Sequence, residues 1–140
     1  MSSRRLSRGL LRAARQILSE ARGSAAAGVH YRVVRQSQEA AELALKAALA
    51  ALGVEYPRRH SFGGLVQSAL SRAGVAPERV EAIARQADAL AAKRGIAFYG
   101  VEEEGIPPDE ALTGEDAAAA LRSAEDIVGF AATLVDRQPG

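Results

Sequence analysis

The sequence predicts an all-α protein, an up-and-down antiparallel bundle of about five helices in one domain over residues 1–140, and three observations predict it. Alanine fills more than a fifth of the 140 positions while aromatic residues make up 4%, a mixture that favours helices packed closely through small side chains. Apolar residues recur at spacings of three and four along most of the chain, the period of a helix with one buried face. Glycines and prolines, which stop helices, fall between those runs. Hydrophobic residues at 48% against charged residues at 25% give the balance of a chain that folds, and its length buries one modest core.

In the first segment Leu6, Leu10, Ala14, Ile17 and Ala21 draw one apolar stripe, with Arg4, Arg8, Arg12 and Arg15 as a separate basic stripe. A helix is expected there, ending near Gly23. Its arginine-rich, nearly acid-free composition is also that of a transit peptide, but the periodicity is taken as that of a structural helix. A second helix is expected from Ser24 or Ala25 to Leu52, stopped by Gly53, with Val33, Ala40, Ala44, Ala47 and Leu52 inside. Its polar stripe, Arg32, Arg35, Glu39, Glu42 and Lys46, is spaced for ion pairing along the helix.

Tyr56-Pro57 enforces an extended connection. Ser61 then opens a third helix carrying Phe62, Leu65, Val66, Ala69 and Leu70, which stops at Gly74. Gly63 and Gly64 weaken its first turn, which suggests close approach of another helix or a ligand. Pro77 suits the first turn of a fourth helix with Val80, Ile83, Ala87 and Leu90 inside. From Gly95 to Thr113 the chain, with Pro107-Pro108 and the triplet Glu102-Glu103-Glu104, is expected to be an irregular loop. Thr113 and Asp116 form a capping box for the last helix, whose inner face is Ala117, Leu121, Ala124, Val128, Ala131 and Val135.

The formal net charge of +1 conceals an asymmetry: residues 1–35 carry eight arginines against Glu20, and residues 102–126 carry nine acids against Arg122. Such a split serves either a basic face for nucleic acid or the mutual packing of first and last helices. With no cysteine, disulfides, thiolate metal sites and cysteine nucleophiles are excluded, and a cytoplasmic setting fits. No apolar run is long enough to span a membrane. Neither a phosphate-binding GxxxxGK[ST] loop nor GxGxxG nor HExxH occurs, and His30 and His60 lack ligand-spaced partners. No metal and no cofactor is expected.

Residues 36–66, "QSQEAAELALKAALAALGVEYPRRHSFGGLV", contain an alanine-rich helix with an E-L-A-x-K core, a short loop, a histidine and a small-residue helix start: Glu42, Leu43, Ala44, Lys46 and His60. Arg94, Tyr99, Pro107, Pro108 and then Thr113 to Ala117 follow in order. Over roughly residues 10–135 this pattern resembles the HEPN domains of higher eukaryotes and prokaryotes, in the stand-alone prokaryotic form. The resemblance implies a homodimer of helical bundles, a nucleotide or RNA as ligand, and a minimal nucleotidyltransferase partner in a toxin–antitoxin-like context.

It also implies an enzyme hypothesis. Many HEPN proteins look like metal-independent ribonucleases built on R-x(4–6)-H, in which arginine neutralises phosphate and histidine transfers a proton. Here Arg94 is followed at that distance by Tyr99, and no histidine occurs after His60. Tyrosine, with a pKa near 10 against about 6.5 for histidine, is a poor general base at neutral pH. The expectation is therefore a non-catalytic domain with Arg94 and Tyr99 as degenerate catalytic positions. Lys46, Arg58, Arg59 and His60 are its candidate nucleotide or phosphate contacts. The alternatives are a purely structural dimerisation module and a ribonuclease using Tyr99.

Overall fold

The computed structural model describes residues 2–55 and 63–138. Among the described residues six helices make the bundle: α1 (Ser2–Ala26), α2 (His30–Ala51), α3 (Gly63–Arg72), α4 (Pro77–Tyr99), α5 (Pro108–Ala111) and α6 (Gly114–Asp136). No described residue belongs to a strand beyond one isolated bridge, Val101 to Ile106. Among the described residues no helix is long and apolar enough to cross a membrane.

Helix α2 is the central element and packs against α1, α4 and α6. Val33, Val34, Ala40, Ala44, Ala47 and Leu49 on it are fully buried. All of these but Val33 form one continuous core with Ala14 of α1, Ala97 of α4, and Ala124, Ile127 and Ala131 of α6. Alanine on facing helices lets their backbones approach closely, which is how a chain so poor in aromatics closes its interior.

Side-chain contacts fix the helix directions. The Ser7 hydroxyl bonds the Gln138 side-chain oxygen, and Arg22 pairs with Glu125 at 3.0 Å, so α1 and α6 are antiparallel. Gln86 Nε2 donates to Asp126 at 2.8 Å and Lys93 pairs with Asp116 at 3.3 Å, so α4 and α6 are antiparallel too. Arg35, early in α2, reaches the last turn of α4. The end of α1, the start of α2, the end of α4 and the start of α6 therefore share one end of the bundle, called here the Phe98 end.

Several boundaries and faces differ from the sequence expectation. Helix α1 does not stop at Gly23: it closes in a Schellman turn in which the Val29 amide donates to Ser24 O at 3.0 Å and Gly28 takes φ +76°, so the chain reverses at Gly28. Helix α2 accordingly begins at His30, not at Ser24 or Ala25. The buried face of α1 is Ser7, Leu11, Ala14, Leu18 and Ala21, whereas Leu6 is 49% exposed and Leu10 and Ile17 are half-buried. A serine is admitted to that seam because Arg4 O and Gln138 satisfy its hydroxyl.

No close neighbour crowds Gly63 or Gly64: a Cβ on Gly63 would meet Asp88 at an ordinary 3.9 Å, and one on Gly64 would meet nothing. The segment from Gly95 to Thr113 is not an irregular loop. Helix α4 runs through Gly95 to Tyr99, a 3-10 turn covers Glu102–Glu104, and α5 follows. Gly100, at φ +71°, is required there, since a Cβ would run into the Ile106 carbonyl. Ser61 and Phe62, the expected start of α3, lie outside the described residues.

Candidate functional site

The Phe98 end gathers aromatic and cationic side chains that the sequence keeps far apart. Arg35 Nε donates to Ala97 O at 2.8 Å and Nη2 to Phe98 O at 3.3 Å. Its guanidinium lies 4.2 Å from the centre of the Phe98 ring and 5.3 Å from that of Tyr31, one turn earlier on α2. Arg94 bears on the same Phe98 ring at 5.1 Å. Phe98 thus carries two guanidinium contacts, each worth roughly 0.5–2 kcal/mol depending on desolvation. Tyr99 follows with its ring 6.1 Å from Phe98, and the two aromatics are 39% and 67% exposed.

Electrostatics at this end follow from helix geometry. The last carbonyls of α4 carry the negative end of its dipole, and Arg35 neutralises two of them by donation. Across the Gly100 turn, Glu102, Glu103 and Glu104 face solvent. Next to α4, the Thr113 amide donates to Asp116 at 2.9 Å and the Asp116 amide to the Thr113 hydroxyl at 3.1 Å, the complete capping box. The Thr113 amide, and with less weight its hydroxyl and Lys93, hold the Asp116 carboxyl below its ordinary 3.8 against the opposing effect of partial burial.

The residues singled out from the sequence are not brought together. Arg94 and Tyr99 both lie in the last two turns of α4, but five positions at about 100° each set them roughly 140° apart around the helix. Phe98 shares Arg94's face instead. Lys46 is half-buried on α2, eleven residues and so about 16 Å along the axis from Arg35, toward the other end of the bundle. Arg58, Arg59 and His60 lie outside the described residues. Arg35, expected to pair along α2, turns to α4. Tyr31, Arg35 and Phe98 were not anticipated as site residues. The signal was present in two arginine–aromatic pairs at a spacing of four, Tyr31 with Arg35 and Arg94 with Phe98.

An open groove of about 560 Å³ lies at the other end, lined by Val75, Ala76, Arg79, Phe130, Leu134 and Arg137 among others. Arg79 sits 5.3 Å from the Phe130 ring centre there. Among the described residues no three His, Asp or Glu side chains are grouped to hold a metal ion.

Fold and site together define a small all-α bundle that presents an arginine–aromatic cluster where its fourth helix ends. The chain belongs to the HEPN domain family: the family's model matches residues 7–134, nearly its whole length. No curated protein and no solved structure matches it.

Proposed function

We propose that the chain is a non-catalytic HEPN domain that binds a nucleotide at the Phe98 end, as a cytoplasmic homodimer beside a minimal nucleotidyltransferase partner in a toxin–antitoxin-like pair. The observation that carries the proposal is the exposed cluster itself. Tyr99, 67% exposed, offers a π-face on which a base stacks, a contact worth about 1–3 kcal/mol. Arg94, exposed in the same cluster, supplies a planar donor fork for phosphate. Arg35 relieves the negative helix end that would otherwise repel an anion. Glu102–Glu104 limit the negative charge the site tolerates, which favours a monophosphate over a polyanion. Arg58, Arg59, His60 and Lys46 remain candidates for further phosphate contacts.

Calorimetric titration with AMP, ATP, GTP and a short RNA tests this. Binding weakened at least tenfold by Arg94→Ala is the expected result, and no heat at millimolar ligand removes nucleotide binding. A ribonuclease working through Arg94 and Tyr99 is disfavoured by their divergence around α4. A quenched fluorogenic RNA should stay intact with the wild-type protein, and cleavage that Tyr99→Ala abolishes would restore the enzyme. A purely structural module predicts a dimer that co-purifies with a co-expressed nucleotidyltransferase and shows no nucleotide heat.

A further inference from the structure

The groove at the end of the bundle opposite Phe98 takes no part in the proposed nucleotide contacts. It runs along α6 from Asp126 to Arg137, about 16 Å at 1.5 Å per residue, and faces the turn between α3 and α4. Val75, Ala76, Phe130 and Leu134 give it apolar walls, and its volume of about 560 Å³ is that of a small-molecule site. Arg79 and Arg137 stand in it exposed. Among the described residues neither guanidinium is in an ion pair or a hydrogen bond. The contact of Arg79 with the Phe130 ring, at 5.3 Å, holds it at the groove wall and consumes none of its donors.

The acids of the groove are already engaged: Glu125 pairs with Arg22 at 3.0 Å, and Asp126 accepts from the Gln86 amide at 2.8 Å. With Glu125 matched by Arg22, Asp126 offsets only one of the two arginines, and the groove keeps one positive charge in excess. Gly129 is an independent sign. It sits inside the 23-residue α6, where glycine is the least favourable residue after proline. Close packing does not call for it, since a Cβ there would meet nothing within 4 Å. The space beside it is the groove.

We infer that this groove binds a small organic monocarboxylate with an apolar tail. The carboxylate takes bidentate donation from the unpaired arginines. The tail lies along the apolar walls and passes Gly129, where a side chain would obstruct it. One excess positive charge matches a monoanion, whereas a phosphate monoester, with about 1.5–2 negative charges at neutral pH, would bring its second charge against Asp126 and Glu125. The ligand therefore differs in kind from that of the Phe98 end, and the inference does not rest on nucleotide binding there.

Calorimetric titration with octanoate tests this, with octanamide as the uncharged control. The proteins compared are the wild type, Arg79→Gln/Arg137→Gln, Gly129→Leu and Gly129→Ala, each checked by helical circular dichroism and melting. Octanoate is expected to bind the wild type at millimolar concentration. Octanamide should bind about tenfold more weakly or less, and the double arginine variant should lose octanoate affinity by a similar factor. Gly129→Leu should abolish binding. Gly129→Ala should raise the melting temperature by about 3 °C and weaken octanoate binding less than leucine does. Absence of octanoate binding overturns the proposal, as do equal affinities for octanoate and octanamide, or wild-type affinity in either the double arginine variant or Gly129→Leu. A change in sedimentation on Gly129→Leu, in a protein that binds no octanoate, overturns it in favour of a second copy seated in the groove. Arg94→Ala should leave octanoate binding unchanged and Arg79→Gln should leave AMP binding unchanged, so failure here and failure at the Phe98 end are distinguishable.

Discussion

Two residues one helical half-turn apart on α2 place opposite demands on the fold. Arg35 donates to two carbonyls of α4 and covers two aromatic rings. Hydrogen bonds from a charged donor contribute about 1.5–3 kcal/mol, so Arg35→Ala is expected to cost about 2 kcal/mol in denaturant unfolding. Ser37 is fully buried and its hydroxyl has no hydrogen-bond partner among the described residues. Leaving a buried hydroxyl unsatisfied costs about 1–3 kcal/mol. Ser37→Ala should therefore stabilise the protein by about 1 kcal/mol, raising the melting temperature by about 3 °C in a chain of this size. Neither role was legible in the sequence. Arg35 sits in a run of charges whose spacing suits pairing along α2, and nothing local shows that α4 ends beside it. Arg94 and Tyr99 were legible as positions but not as a geometry, because the helix around them continues to Tyr99 and turns them apart.

At the scale of elements, the turn after α4 decides where the cluster stands. Gly100, at φ +71° and ψ −155°, occupies backbone space reserved for glycine, and its α-carbon faces the Ile106 carbonyl. Gly100→Ala should destabilise by about 3 kcal/mol or more by chemical denaturation, and should disturb the Val101–Ile106 bridge first. Helix α6 begins on the Thr113–Asp116 box, whose loss in Thr113→Ala should cost about 1 kcal/mol. Asp116 has a lowered pKa in the fold, so it stabilises above the ordinary value of 3.8, and that contribution disappears as pH falls through the folded-state value. The difference in stability between wild type and Asp116→Asn should accordingly be steady near neutral pH and shrink in acid below 3.8. The box could be read directly, since its signature is local. The faces of α1 could not: its leucines fill both possible seams, and the choice rests on Gln138, more than a hundred residues away, satisfying Ser7.

At the scale of the molecule, the helical bundle was legible from period and alanine content, whereas its organisation around α2 emerges only from the packing. The α2 amides from 40 to 50 should exchange with solvent most slowly, and those of α3 and α5 fastest, in native-state hydrogen exchange, because α2 is covered by three helices while the short ones pack mainly on α4. The opposed charges of the two ends of the sequence meet in the pairing of α1 with α6, through Arg22 and Glu125. Their side chains are 55% and 39% exposed, so a double-mutant cycle should give no more than about 0.5 kcal/mol. Complementary charge in the sequence thus marked the right neighbours without supplying much of the energy that joins them. Of the basic stripe expected on α1, Arg8, Arg12 and Arg15 are exposed, whereas Arg4 is half-buried and Arg5, not part of that stripe, is exposed in its place.

The placement of Tyr31 and Tyr99 has a practical consequence. The chain has no tryptophan and three tyrosines. Two of them stand at the Phe98 end, one beneath the Arg35 guanidinium and the other largely open to water, with the third, Tyr56, outside the described residues. The ultraviolet emission of the unlabelled protein is therefore weighted toward that one end, and a change in its intensity or anisotropy serves as a built-in optical reporter of occupancy there.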